Sequence, residues 1–153
     1  MTTANRVSIL SIVACFAALA FQPGAEAGRR LTDDEVAQRC IDTMNTGAAK
    51  NRTKIVGFGS GAVTRINALQ ARGTAERTIL KTADTARKNI AKTLTSANKQ
   101  LEAAALKGVR ELNKRRASSH LAAETNEAKD QSVGQLQTVA DDCYAAIDGA
   151  LAD

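Results

Sequence analysis

Between Ile79 and Leu112 the apolar residues return every eleven positions, and that period decides most of what this chain can become. The segment reads ILKTADTARKN, IAKTLTSANKQ, LEAAALKGVRE and LNKRRASSHLA. Ile79, Ile90, Leu101 and Leu112 lead the units. Ala83, Leu94 and Ala105 repeat within them, as do Ala86, Ala97 and Gly108. Eleven residues make three helical turns at about 3.67 residues per turn, so these positions share one face without left-handed supercoiling. The pattern predicts a long amphipathic helix, straight or slightly right-handed, with Lys88, Lys99 and Arg110 on a cationic flank. The fourth unit degrades at Arg115-Arg116-Ala117-Ser118-Ser119, where the helix is expected to end. Alanine-rich amphipathic helices also produce approximate elevens by chance, which is the plainer account of the same pattern.

The rest of the chain agrees with a helical reading. Pro23 is the only proline, so no later position is barred from a helix interior by a missing N–H. No alternating β-branched stretch suggests a strand. Alanine dominates the apolar residues after position 27, and Phe58 and Tyr144 are the aromatics there. Each fully buried Leu, Ile or Val contributes roughly 1.5–3 kcal/mol, whereas alanine buries little area, so the core must be thin. The expected fold class is all-α: an elongated antiparallel helical bundle or coiled coil with alanine-rich seams. Partial disorder is the bland alternative, because Thr, Asn and Gly lower helix propensity.

Thr32-Asp33-Asp34-Glu35 has the spacing of a capping box and opens a first helix, in which Val36, Cys40 and Met44 share a face. Gly47 is a candidate C-terminus for it. Gly57-Phe58-Gly59-Ser60-Gly61 is the strongest breaker signal and predicts a turn or kink, with Gly73 a weaker candidate. Residues 117–132 carry little apolar pattern and are expected to include a connection. Val133, Leu136, Val139, Ala140, Cys143 and Ile147 then rebuild a helical face, in a last helix running from about 125 or 130 to Leu151. Three and four helices both fit.

The first 27 residues resemble an export signal in composition. Arg6 precedes the apolar run Val7–Phe21, and Ala25-Glu26-Ala27 supplies a small-x-small cleavage pattern before Gly28. A membrane span would need about 20 apolar residues, and Gln22 and Pro23 stop this run sooner. The expected organisation is a cleaved signal peptide at 1–27 and one helical domain at 28–153, in the periplasm or outside the cell. Ile12-Val13-Ala14-Cys15 passes as a loose lipobox, which makes a lipid anchor on Cys15 the lesser alternative.

Cys40 and Cys143 are the thiols outside that segment. Each lies in the apolar seam of its own helix, and an exported chain tolerates disulfides. The expectation is an intramolecular Cys40–Cys143 bridge that staples the first helix to the last, with an intermolecular bridge or free thiols as alternatives. Closing a loop of about 100 residues would be worth ~4.7 kcal/mol in the chain-entropy model. No Cys-x-x-Cys and no set of metal ligands accompanies them, so neither redox chemistry nor a metal is expected.

Charge is the best functional clue. Residues 50–116 carry 16 Lys/Arg against four acids, while residues 117–153 carry Lys129 against seven acids. The basic central part could meet an anionic membrane surface or an acidic polysaccharide. The contact residues would be Lys81, Arg87, Lys88, Lys92, Lys99, Arg110, Lys114, Arg115 and Arg116. Nucleic acid is disfavoured because no aromatic residues are interleaved to stack bases. The opposing view is that the acidic last helix neutralises the basic one within the fold. Catalysis finds no support: His120 is the sole histidine, Asp33-Asp34 and Asp141-Asp142 read as caps or solvated faces, and no phosphate loop surrounds Gly57-Gly61. The reading is an exported, cofactor-free, non-enzymatic protein with a structural or binding role in the cell envelope. Its rival is a self-assembling structural protein, a homo-oligomer whose alanine seams pair between chains.

Overall fold

The structure, a computed structural model, describes residues 30–152, so the expected signal segment and Cys15 lie outside the described residues. Three helices follow one another: α1 (Asp33–Ala71), α2 (Glu76–Lys114) and α3 (Ser119–Ala152). α1 starts where the capping box was expected. Thr32 Oγ1 accepts the Glu35 N–H at 3.2 Å, and the Glu35 carboxylate accepts the Thr32 N–H at 2.7 Å. Asp33, Asp34 and Glu35 add negative charge to the first turn, where the helix dipole favours it. α1 and α2 each contain 39 residues, about 58 Å at 1.5 Å per residue.

Both turns close in the same way. Gly73 takes φ +63° and donates its N–H to Gln70 O at 2.8 Å, ending α1. Arg116, at φ 57°, donates to Asn113 O at 3.0 Å and ends α2 at the degraded fourth unit. A left-handed non-glycine residue costs about 1–2 kcal/mol. With turns this short, successive helices run antiparallel, and α1 and α3 are therefore parallel. Each helix packs against the other two.

The eleven-residue period is the inner face of the bundle. Ile79, Ala83, Ala86, Ile90, Ala97, Leu101, Ala105, Gly108 and Leu112 are buried on α2, and Leu94 is half-buried. The same period governs the other helices. Met44, Ile55 and Ile66 are buried eleven apart on α1, as are Thr125, Leu136 and Ile147 on α3. A single period in three packed helices keeps every seam facing inward over the full length. Asn98 is the one imperfection among the described residues: its Oδ1 is buried with no hydrogen-bond partner. Asn98→Leu is expected to stabilise the bundle by about 1 kcal/mol, because the orphaned acceptor disappears. Urea denaturation of the two proteins measures it.

Three expectations from the sequence are corrected here. The Gly57–Gly61 segment does not turn the chain out of the helix; it lies inside α1, and so does Gly47. Gly59 is buried because α3 passes close: a Cβ there would stand 2.6 Å from Cys143 Sγ. The connection does fall within residues 117–132, at Ala117 and Ser118, but the last helix starts at Ser119 rather than at about 125 or 130, so the rest of that segment is helix. Its inner positions are small and polar, and Thr125, fully buried, donates its hydroxyl to Leu121 O at 2.8 Å.

The third correction concerns the cysteines. The Cys40–Cys143 bridge is not formed, and both thiols are free. Because α1 and α3 are parallel, a residue near the start of α1 and one near the end of α3 lie at opposite ends. Cys40 Sγ contacts Ala104 O on α2 at 3.3 Å, whereas Cys143 Sγ sits 3.7 Å from Ile55 O on α1. From Cys40 to the level of Ile55 is about 22 Å along α1, against the ~4.4–6.8 Å between Cα atoms that a bridge spans. The thiols act as small packing groups. Burial raises the pKa of both above the ordinary cysteine value; the Asp142 carboxylate adds to the effect at Cys143, and a backbone hydrogen bond from Gly108 opposes it at Cys40.

That shift has a signed consequence. The folded chain holds these protons more tightly than the unfolded one does. The contribution is therefore complete below about pH 8.5 and is lost as pH rises beyond it. Urea midpoints should fall above that pH in the parent protein, and less steeply in Cys40→Ala/Cys143→Ala. Equal slopes would show that the thiols are not the titrating groups.

Candidate cationic site on the second helix

The period that buries one side of α2 also organises its opposite side. Arg77, Lys88, Lys99 and Arg110 fall eleven apart, and so do Lys81 and Lys92, with Lys114 two periods beyond Lys92. At eleven residues per three turns, both rows lie about 165–195° around the helix from the Ile79–Leu112 line. All seven cations are exposed. They form one stripe about 55 Å long, interrupted at Ala103, where the second row would place its missing member. Glu102 and Glu111 occupy other angles, whereas Glu76 and Asp84 border the first third of the stripe, lining one shallow depression with Arg77, Lys81 and Lys88. None of the seven makes an ion pair among the described residues.

The expected contact residues divide accordingly. Lys81, Lys88, Lys92, Lys99, Arg110 and Lys114 are brought together on the stripe. Arg87 is not: it pairs with Asp148 of α3 and, at 3.3 Å, with Asp84. The Asp148 carboxylate strengthens the charged form of Arg87 and raises its pKa. Arg115 also turns away, holding Glu111 at 3.1 Å, Asp33 at 3.6 Å and the Leu31 carbonyl at 2.8 Å. Arg116 occupies the turn. Internal neutralisation thus involves Arg87 and Arg115 and leaves the stripe open. Arg77 was missed because it precedes the first apolar unit, although it keeps the eleven-residue step to Lys88.

A second feature adjoins the stripe. On the flank of α2 that meets α1, Lys92 shares a groove with Lys50 and Lys54, alongside Asn51, Thr93, Ser96 and Gln100. One period further along, Lys81 shares the groove with Arg65, beside Phe58, Thr78, Thr82, Thr85 and Asn89. No acid lines either stretch. Leu80 and Leu106, the exposed large apolar residues of α2, lie on its other flank, nearer α3.

The remaining chemistry-bearing residues are dispersed. His120 is exposed and 3.3 Å from Glu124 within α3. Asp141 accepts from Gln137 at 2.9 Å, one turn away. Among the described residues, no group of His, Cys, Asp and Glu is placed to hold a metal ion, and no helix is long and apolar enough to cross a membrane. No family model, no curated protein sequence and no solved structure matches the chain.

Proposed function

We propose that the protein is exported, with residues 1–27 as its signal, and that its bundle binds an anionic surface or polymer through the cationic stripe of α2. The role is binding rather than catalysis. The observation that carries this reading is the stripe itself, seven exposed cations in line on one helix, none of them in an ion pair among the described residues, with acids beside it only at Glu76 and Asp84. A single exposed ion pair is worth only about 0–1 kcal/mol. Several in register along one rigid line add up, and unpaired like charges this close cost folding energy that an anionic partner would relieve.

Self-assembly through alanine seams is the weaker reading, since Ala83, Ala86, Ala97 and Ala105 are already buried within one chain's own bundle. The test is retention on vesicles containing phosphatidylglycerol and on an acidic polysaccharide resin across a salt gradient. Anionic binding weakens as salt screens it, whereas apolar self-association survives. Absence of retention at low salt would remove this proposal.

A further inference from the structure

The cations that continue the stripe into the α1–α2 groove are arranged as two rungs. Lys54 of α1 and Lys92 of α2 share one stretch of the groove, and Arg65 and Lys81 share the next. Lys54 and Arg65 are eleven residues apart, as are Lys81 and Lys92, so the rungs stand about 16 Å from each other. Phe58, exposed on the α1 wall, falls between them and is flanked by Gly57 and Gly61, at each of which even an added Cβ would meet nothing within 4 Å. The ring is thus accessible from the groove.

The rest of the lining is polar. Thr82 and Thr85 donate their hydroxyl protons to carbonyls one turn back, at 3.0 and 2.8 Å, which leaves their oxygen lone pairs free to accept. Asn89 and Gln100 add amides that both donate and accept. Cations, a ring face, and mixed donors and acceptors in two successive shallow stretches between α1 and α2 match one ligand chemistry. We propose that this groove is the binding site of an acidic polysaccharide strand, its carboxylate or sulfate groups held at the two rungs and a sugar ring seated on Phe58.

A lipid surface fits less well. Of the exposed large apolar side chains that would enter a bilayer, only Phe58 lines these stretches, while Leu80 and Leu106 are on the opposite flank of α2. The inference rests on the proposed anionic binding and narrows it to a ligand class and a place.

The experiment titrates the protein with polygalacturonate, dextran sulfate and neutral dextran at fixed salt, and with phosphatidylglycerol vesicles and a single-stranded oligonucleotide in parallel. Phe58→Leu keeps an apolar side chain and removes the ring; Phe58→Tyr keeps the ring. The expected result is binding to one or both acidic glycans and not to neutral dextran. Phe58→Leu should weaken that binding about tenfold and Phe58→Tyr should preserve it. Lys54→Gln/Arg65→Gln should weaken it further, with melting temperatures close to the parent's. Glycan binding indifferent to Phe58→Leu and to Lys54→Gln/Arg65→Gln would overturn the groove while leaving the stripe. Stronger binding to vesicles or to the oligonucleotide than to either glycan would overturn the ligand class. Failure of the parent to bind any of the anions would overturn the proposed function itself.

Discussion

Gly59→Ala is expected to lower the melting temperature by about 4–8 °C, an effect large for the addition of one methyl group. The new Cβ would lie 2.6 Å from Cys143 Sγ, 2.8 Å from its Cβ and 3.5 Å from its Cα. Carbon atoms at rest stand about 3.5–4.0 Å apart, so α3 must withdraw or α1 must bend. Overpacking of this kind costs about 1–3 kcal/mol, while alanine returns roughly 0.5–1 kcal/mol of helix propensity. The clash dominates because the Cys143 Cβ, which no side-chain rotation can move aside, is met at 2.8 Å as well as the sulfur.

Gly108→Ala makes the mirror experiment, since its Cβ would run into Cys40 Sγ on α1. Here the Cys40 Cβ stands at 3.0 Å, and the nearest other atom, Thr125 Cγ2, at 3.5 Å. Removing the sulfur should therefore restore most of the stability in Gly108→Ala/Cys40→Ala. The Gly59→Ala/Cys143→Ala pair should recover only part, because the Cβ contact at 2.8 Å persists. Gly57→Ala and Gly61→Ala, with nothing within 4 Å, should instead stabilise by roughly 0.5–1 kcal/mol. Thermal unfolding of these six proteins separates close packing from helix propensity. Equal effects at Gly57 and Gly59 would show that the notch carries no packing role.

These two notches also explain what was legible in the sequence and what was not. On α2 the large residues Ile79, Ile90, Leu101 and Leu112 mark the period openly, and the buried face is the one their spacing implies. On α1 Met44, Ile55 and Ile66 mark the same period with large residues, but the rows beside them, Cys40, Asn51 and Ala62, and Ala48 and Gly59, are too small or polar to widen it into a readable hydrophobic face. Gly59 read locally as a breaker because flexibility is the commoner use of glycine. Its use here, close approach of another backbone, depends on a residue 84 positions away. The start of α3 was hidden likewise, since Thr125 and Ser132 occupy inner positions usually held by apolar residues.

The bridge failed for a topological reason. Cys40 and Cys143 do lie in seams, but three passes make the terminal helices parallel, and seam position alone carries no end-to-end direction. Charge was legible as a total and not as a pattern of pairs. Arg87 and Arg115 count as free cations in sequence, yet Asp148 and Asp33 meet them from other helices. The groove cations Lys54 and Arg65 did leave a signal, the same eleven-residue step as Lys81 and Lys92, on a helix whose apolar face is narrow.

Reversing the centre of the stripe with Lys88→Glu/Lys99→Glu/Arg110→Glu should abolish retention on an acidic matrix at salt concentrations where the parent is fully held. Three cations become three anions, so the exposed line loses both attraction and its uniform sign. The fold should tolerate the change, because all three side chains are exposed and none makes an ion pair among the described residues. Ala103→Lys provides the opposite sign on the same line. It fills the interruption between Lys92 and Lys114, keeps helix propensity within a few tenths of a kcal/mol, and should raise the salt needed for elution. Arg87→Gln/Arg115→Gln removes equal charge from residues already committed to Asp148, Asp33 and Glu111, and should shift elution less than Lys88→Gln/Lys99→Gln. Retention that follows net charge alone would place these two pairs together, and a partner that reads position along the stripe would separate them.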